Sequence, residues 1–279
     1  LIELIEVKKS KKSFGCDPLE LIYSTYPTFE SIDQYLFKSI HFEEMPSVEA
    51  DIYENLEAVN NLDVFIGIDI GSTSTKSALV NDQGVVVAGL YTRTSGRPVE
   101  AVQSIFEAVD DICRRKSLQL NILGVGTTGS GRKFIGEIIG ADEALDEITA
   151  HARAAYELDA EVDTIIEIGG QDSKFTTLKN GRVTFSIMNN VCAAGTGSYI
   201  EEQAKKLGCP LSEYSTRAEN VPAPITSDKC TVFMERDLNH YLSEGYTVDE
   251  CLASVLHSVR DNYLTKVAIE SNIGNKVFF

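Results

Sequence analysis

The apolar and polar positions of this chain predict the same order of elements twice. In the first occurrence, three strands separated by polar turns precede an amphipathic helix and a fourth strand: 64–70, 75–80, 85–93, 98–113 and 123–126. Pro98 suits the first turn of that helix, whose apolar residues then recur at helical spacing. A glycine-containing loop at 127–132 and a helical pattern at 147–158 complete the first set.

The second occurrence starts at Thr164 and repeats the strand, glycine-rich turn, strand, turn, strand and helix. Its strands are 164–168, 174–178 and 183–188. Two helical patterns, 230–243 and 248–269, follow near the end of the chain. Strands mixed with crossover helices are typical of α/β proteins, and an internal repeat implies two similarly folded lobes with a cleft between them. We therefore predict lobes at 63–162 and 163–279, preceded by a linker or flanking segment at 1–62.

Composition narrows the class of protein. The 279 residues can bury a sizeable core, and a formal net charge of −17 argues against nucleic acid and anionic membranes as partners. No apolar run approaches the length of a membrane span. The six cysteines do not look like a disulfide scaffold, which favours a reduced, cytoplasmic setting. Because both ends lie inside apolar, strand-like patterns, we expect a piece of a longer polypeptide.

Each repeat carries an acid near the end of its first strand, followed by a glycine-rich turn. Glycine lets the backbone approach a phosphate closely, and a carboxylate can hold a hydrated magnesium ion. The first copy consists of Asp69, the turn Gly71, Ser72 and Thr73, and Lys76 as a charge partner. The second copy consists of Glu167, the turn Gly169, Gly170 and Gln171, and Asp172 near the metal. One copy alone is compatible with an ordinary hairpin, but two copies favour a phosphate clamp.

The most distinctive stretch places a cysteine beside a helix start. Gly195, Thr196 and Gly197 open a helix, where free backbone N–H groups and the helix dipole favour a phosphate. Cys192 stands three residues ahead of that turn, and Cys230 stands at another predicted helix start. A helix N-terminus favours a thiolate. Two cysteines cannot complete a four-thiolate iron–sulfur cluster, but two copies of the chain could.

These motifs resemble those of a known family. The paired turns resemble the actin–Hsp70–sugar kinase superfamily of ATPases. Within it, Asn190-x-Cys192-Ala-Ala-Gly-Thr-Gly-Ser and Asp228-Lys229-Cys230-Thr231-Val232-Phe233 are similar to motifs of the BadF/BadG/BcrA/BcrD ATPase family. That family comprises activators of 2-hydroxyacyl-CoA dehydratases and ATPase subunits of benzoyl-CoA reductase. The resemblance runs from about Phe65 to the C-terminus, and the segment before it resembles a large CoA-substrate-specific activase.

The resemblance implies two ribonuclease-H-like lobes, the second truncated before a Gly-Gly turn that packs on adenosine in the family. It implies an ATPase that binds ATP or ADP with Mg²⁺, with Glu147 orienting the attacking water. It also implies a homodimer with one [4Fe–4S] cluster in its interface, held by Cys192 and Cys230 of each chain. A ferredoxin- or flavodoxin-like donor would supply the electron, and a CoA-ester dehydratase or reductase would accept it.

Two other functions stay open on the sequence alone. A sugar kinase of the same superfamily would need a catalytic Asp facing a hydroxyl-binding pocket, yet no sugar-binding signature is present. A kinase also has no need for cysteines at two helix starts. A catalytically silent nucleotide-binding scaffold becomes realistic if the missing C-terminal turn abolishes nucleotide binding. The loop from Thr127 to Arg132 is either a further nucleotide contact or an ordinary glycine loop.

Overall fold

The computed structural model describes residues 12–21, 30–56, 60–189 and 193–279. The chain divides into two compact units. The first unit is Thr25–Leu158, and the second unit combines Leu1–Ser24 with Asp159–Phe279. The lobe boundaries drawn from the sequence stay a prediction. In the part of the chain that is described, no helix is both long and apolar enough to span a membrane.

The first unit is built on one seven-stranded sheet. Its strands are β1 (Asp33–Phe37), β2 (Val48–Ile52), β3 (Asn61–Ile70), β4 (Ser74–Asn81), β5 (Val86–Arg93), β6 (Gln119–Thr128) and β7 (Glu143–Ala144). Their order across the sheet is β1-β2-β5-β4-β3-β6-β7. The helices are α1 (Pro98–Lys116), α2 (Arg132–Ile139) and α3 (Glu147–Leu158). Strand β6 is parallel to β3 and to β7. Helix α1 connects β5 to β6 and helix α2 connects β6 to β7, and such crossover connections join parallel strands.

The core of the first unit lies on one face of this sheet. Alternate residues of β3 are buried in this core: Val64, Ile66, Ile68 and Ile70. Helix α1 packs on them through an apolar stripe that includes Val102, Ile105 and Ile112. Each such buried side chain stabilises the fold by roughly 1.5–3 kcal/mol. The intervening residues of β3, among them Phe65, Gly67 and Asp69, belong to the opposite face. That second face carries the candidate chemistry.

The sequence pattern gave no indication of β1 and β2, which extend the sheet beyond β5. Strand β2 buries Val48, Ala50 and Ile52, but the acidic residues between them obscure this alternation. The loop that joins the two strands is attached to α1 through Glu107. Its carboxylate accepts hydrogen bonds from Ser39 Oγ and the Ile40 N–H, both at 2.9 Å. His41 Nδ1 lies 2.6 Å from the other carboxylate oxygen.

Glu107→Gln should lower the free energy of unfolding at pH 7 by about 1 kcal/mol, because an amide oxygen is a weaker acceptor than a carboxylate. Burial alone would raise the pKa of Glu107, but the hydrogen bonds from Ile40, His41 and Ser39 outweigh it and the pKa is lowered. This stabilisation is therefore present above the carboxyl's unfolded pKa and is lost as pH falls through the lower folded pKa. Urea denaturation at several pH values measures it.

The matched control for this prediction is Glu100→Gln on the same helix, whose carboxylate pairs with partly exposed Arg97 at 3.4 Å. An exposed ion pair of this kind contributes only about 0.5 kcal/mol. A Glu107→Gln variant whose deficit does not shrink toward acidic pH would contradict the assignment.

The second unit contains a smaller sheet with the same strand order. Its strands are β8 (Thr164–Ile168), β9 (Ser173–Lys179), β10 (Arg182–Met188) and β11 (Val277–Phe278), arranged β10-β9-β8-β11. Two antiparallel pairs are followed by a parallel one, as in β5-β4-β3-β6 of the first unit. Strand β11 forms the edge of this sheet among the described residues. The internal repeat seen in the sequence is therefore present in the fold.

Helices α4 (Gly197–Lys206), α5 (Leu211–Ala218), α6 (Thr231–Ser243) and α7 (Val248–Lys266) complete the second unit. Helix α7 is its centre. A capping box formed by Thr247 and Glu250 starts the helix, as the Thr-x-x-Glu spacing favours. Cys251 is fully buried in the core, as its place on the apolar stripe predicts, and burial raises its pKa to about 11. Val255 and Val259 extend the same buried stripe.

Candidate functional site

The first acid turn lies at the end of β3, on the face of the sheet opposite the core. Asp69 and Lys76 face each other across β3 and β4, with Lys76 Nζ 3.2 Å from Asp69 Oδ2. The Gly71 N–H donates to the Ser74 carbonyl at 3.0 Å and closes the turn. A Cβ on Gly71 would lie 2.9 Å from that carbonyl oxygen, so the turn requires glycine. Thr94 Oγ1 donates to the Gly71 carbonyl at 2.7 Å and holds the turn from β5.

The loop between β6 and α2 lies directly against Asp69. Gly129 has a φ of +84°, and a Cβ there would meet Asp69 Oδ1 at 2.4 Å. The Gly131 N–H donates to the Ile70 carbonyl at 2.9 Å. Thr128 is paired with Asp69 across β3 and β6, and its buried Oγ1 has no hydrogen-bond partner in the described part of the chain. The structure thus brings this loop, a secondary candidate in the sequence, to the first acid.

A pocket of about 360 Å³ opens beside these residues in the first unit. Asp69 and Lys76 line it together with Leu145 and Ala150. Its floor is formed where three small residues are neighbours across β4, β3 and β6: Ala78, Gly67 and Gly126. A Cβ on either of these glycines would meet nothing within 4 Å. The small size of these three residues leaves room for a small molecule or part of one next to the Asp69 carboxylate.

Glu147 begins helix α3, whose first turn also supplies Ala150 to the pocket. Asp146 caps this helix: its carboxylate accepts hydrogen bonds from Thr149 Oγ1 at 2.6 Å and from the Thr149 N–H at 3.0 Å. The Thr149 side chain, followed by its backbone N–H, lowers the pKa of Asp146. The sequence analysis missed this cap, although the Asp-x-x-Thr spacing before an apolar run is a signal for it. The cap fixes the turn on which Glu147 stands.

Gly129→Ala should destabilise the protein by about 3 kcal/mol and slow the ATP hydrolysis that the family resemblance implies by about tenfold or more, because the methyl group meets both the Asp69 carboxylate and the Ile70 carbonyl. Gly84→Ala is the matched control. Gly84 has a φ of +82°, but a Cβ there would meet nothing within 4 Å. It should therefore show only the backbone strain, about 1–2 kcal/mol, with normal turnover. Thermal denaturation and phosphate release measure both; equal turnover in the two variants would remove Gly129 from the site.

The second acid turn repeats the geometry of the first. Glu167 and Lys174 face each other across β8 and β9, with Lys174 Nζ 2.9 Å from Glu167 Oε1. The Gly169 N–H donates to the Asp172 carbonyl at 2.8 Å, and a Cβ on Gly169 would lie 2.9 Å from that oxygen. The Lys174 side chain is only 4% exposed, whereas Lys76 is 44% exposed. Sequence reasoning missed Lys174, although it occupies the position that matches Lys76 in the repeat.

The second turn is bound to the start of α4. The Gly197 N–H donates to the Gly169 carbonyl at 2.9 Å, and the Ser198 N–H donates to the Gly170 carbonyl at 3.0 Å. The sequence analysis expected free N–H groups at this helix start, and these two are occupied by the turn instead. The phosphate-binding role of residues 195–197 stays a prediction. The contact means that a displacement of the turn is passed directly to α4.

Only one of the two candidate ligand cysteines, Cys230, lies in the described part of the chain. Cys192 lies outside the described residues. Cys230 precedes α6 with an extended backbone, and its sulfur makes no capping hydrogen bond to the helix. Val232 and Phe233, which follow it, are exposed. Within the described ranges, no group of three or more His, Cys, Asp or Glu residues converges on a possible metal position.

The sequence of this chain is similar to that of a known protein family. Residues 66–279 match the BadF/BadG/BcrA/BcrD ATPase family. The (R)-2-hydroxyglutaryl-CoA dehydratase activating ATPase of Acidaminococcus fermentans is 33% identical over 199 residues, which are 70% of this chain and 73% of that protein. The match begins within β3, so β1 and β2 precede it.

Two solved structures share the fold. One is the activator of the 2-hydroxyisocaproyl-CoA dehydratase from Clostridium difficile with bound ADPNP. Its TM-score is 0.64 at 30% identity, over 77% of this chain and 78% of that one. The other is component A of the Acidaminococcus fermentans (R)-2-hydroxyglutaryl-CoA dehydratase, with a TM-score of 0.67 at 28% identity, over 77% and 81% of the two chains. The α/β fold class expected from the mixture of strands and crossover helices is confirmed.

Proposed function

The chain belongs to the BadF/BadG/BcrA/BcrD ATPase family, and on this premise we propose that it is an ATP-driven activator of a CoA-ester dehydratase or reductase. Its role is to pass that partner a low-potential electron. The observation that carries the proposal is the hydrogen-bonded contact between the second glycine turn and α4. That helix begins five residues after Cys192 in the chain, so a candidate nucleotide contact and a candidate thiolate ligand are close together in sequence.

The two acid–glycine turns are the nucleotide contacts in this proposal. Asp69 and Asp172 hold the magnesium ion, which prefers carboxylate oxygens and water. The phosphates are bound by Gly71, Ser72, Thr73, Lys76, Gly169, Gly170, Gln171, Gly195, Thr196 and Gly197. Support comes from the pocket beside Asp69 and from the relative whose structure holds ADPNP. Glu147, in the turn of α3 next to this pocket, orients the attacking water.

Glu167 has a different role from Asp69 in this proposal. The buried ammonium of Lys174 lies 2.9 Å from its carboxylate and offsets its charge. The 4% exposed Lys174 stays at this carboxylate, whereas the 44% exposed Lys76 leaves Asp69 open to a cation. Glu167 therefore fixes the shape of the turn, and Asp172 is the metal-facing acid of the second unit.

The cluster would be held by Cys192 and Cys230 of two copies of the chain. Four thiolates are the donor set of a [4Fe–4S] cluster, and Cys230 meets this requirement with a sulfur that does not cap its helix. The positive end of the α6 dipole lies next to Cys230 and suits an anionic group bound there. Exposed Val232 and Phe233 beside Cys230 suit an interface with a second copy. When bound, the cluster would supply a low-potential electron, replenished by a ferredoxin- or flavodoxin-like protein.

The test is anaerobic reconstitution of wild type beside Cys192→Ala and Cys230→Ala. We expect about four irons per dimer in wild type and a clear loss in both variants. Cys113→Ala is the matched control, because this partly buried cysteine packs on the core of the other unit. If Cys192→Ala or Cys230→Ala keeps the full iron content, the ligand assignment is wrong.

The same preparation separates the competing functions. A brown protein whose reduced cluster becomes more accessible to chelator with ATP supports the electron donor. A colourless protein that releases ADP only with a sugar present is a kinase. A colourless protein that binds nucleotide without turnover is a scaffold.

A further inference from the structure

Asn262 of α7 lies between Gly195, three residues after Cys192 in the chain, and Asp228, two residues before Cys230. Its side chain is 3% exposed. On one side, Asn262 Nδ2 donates to the Asp228 carbonyl at 2.5 Å, two residues before Cys230. Thr265 Oγ1, one turn further along α7, donates to the Asp228 carboxylate at 3.2 Å. Helix α7 thus holds the segment from which α6 starts.

On the other side, the amide oxygen of Asn262 contacts Gly195. A Cβ built on Gly195 would lie 2.7 Å from Asn262 Oδ1, and the next nearest side chain, Ser173, would be 3.8 Å away. Gly195 is three residues after Cys192 and ends the short 3₁₀ helix Ala193–Gly195, which packs against α7. Only glycine allows this close approach, so the Asn262 amide fits tightly between Gly195 and Asp228.

The amide is also poorly suited to a purely packing role. Asn262 Oδ1 is buried and accepts no hydrogen bond from any residue in the described ranges. A buried acceptor without a donor costs stability, and an apolar side chain of the same shape would avoid that cost. The amide instead joins two segments: its nitrogen donates to the Asp228 carbonyl, and its oxygen lies against Gly195.

We propose that Asn262 is a positioning residue that couples Gly195 to the segment before α6, so that a shift at Gly195 is passed to Asp228 and Cys230. The proposal rests on the proposed function for its purpose. The second turn is hydrogen-bonded to α4, and α4 directly follows the Gly195 segment. Through Asn262, a change at the turn reaches Cys230 as well as α4.

The experiment measures how fast Cys230 is alkylated in the full chain without cluster, by pulse labelling with iodoacetamide and peptide mass spectrometry. Gly195→Ala should change this rate about fivefold, because its methyl group displaces the Asn262 amide and disturbs its bond to Asp228. In an Asn262→Ala background the space is clear, so Gly195→Ala should change the rate by less than about twofold.

Ser258→Ala is the matched control for Asn262→Ala. It removes a buried hydroxyl from the same helix whose bond, to the Val255 carbonyl, stays within α7. In this background Gly195→Ala should keep its full effect on Cys230. If Gly195→Ala alone does not fold, adding Asn262→Ala should restore folding, since it removes the atom that the methyl group meets.

The proposal is overturned if Gly195→Ala acts on Cys230 equally with and without Asn262, or leaves the rate unchanged in wild type. A double variant that stays unfolded when Gly195→Ala is unfolded also overturns it. Alkylation needs neither iron nor ATP turnover, so its outcome is separate from that of the proposed function. Intact coupling in a protein that never binds iron would refute the electron donor and leave the role of Asn262 standing.

Discussion

Asp69→Asn should reduce kcat for ATP hydrolysis by about 10²–10⁴-fold and leave the fold intact. The Asp69 side chain is 29% exposed and stands on the face of β3 opposite the core, so its replacement opens no cavity. An amide of the same shape keeps the hydrogen-bonding geometry but removes the charge that a magnesium ion and Lys76 need. Steady-state phosphate release gives kcat, and thermal denaturation tests the fold.

Asp63→Asn is the control for this result. Asp63 lies six residues earlier in β3 on the same face, where its carboxylate accepts a hydrogen bond from Asn121 Nδ2 at 2.8 Å. This variant should hydrolyse ATP at the wild-type rate. An Asp69→Asn protein with kcat within about threefold of wild type would exclude a direct role for that carboxylate.

Lys174→Met should destabilise the protein by about 3 kcal/mol, because it leaves the Glu167 carboxylate without the buried ammonium group that faces it. Lys76→Met, at the matching position of the first unit, should cost less than about 1 kcal/mol, since Lys76 and Asp69 are both open to water. Urea denaturation of the two variants measures the difference. The internal repeat makes each position the control of the other.

Adding Glu167→Gln to Lys174→Met should recover part of the lost stability, because a neutral amide needs no opposite charge. Equal losses in Lys174→Met and Lys76→Met would contradict the view that one acid–lysine pair supports the fold and the other serves the site. The activity should show the reverse order. Lys76→Met should lose turnover while remaining folded.

The sequence predicted those parts of the fold that have a local signature. The apolar runs of β3, β4 and β8 are long enough to identify the strands, and the acid-plus-glycine turns mark both copies of the repeat. Pro98 placed the start of α1 correctly. Strands β1 and β2 were missed, because their buried positions are separated by acidic residues that favour an irregular segment.

The sequence names residues for the candidate site, whose roles stay predictions, but it does not show their contacts. A helix start at Gly197 is visible in the sequence, but the partners of its N–H groups are not. Those groups bind carbonyls of Gly169 and Gly170, which carry no side chain that could mark the pairing. Lys174 was missed although its position in the repeat matches Lys76, whereas Asn262 was missed because it contacts Gly195 and Asp228, which are far away in the chain.

Because of the two backbone hydrogen bonds between the second turn and α4, the exchange rates of two amide protons measure how often this contact opens. A buried amide proton exchanges with solvent when its hydrogen bond opens, so its exchange rate measures how often the bonded segments separate. The amides of Gly197 and Ser198 donate only across this contact in the hydrogen bonds described above. Their deuterium uptake therefore records the parting of turn and helix, without any label or substitution near the cysteines.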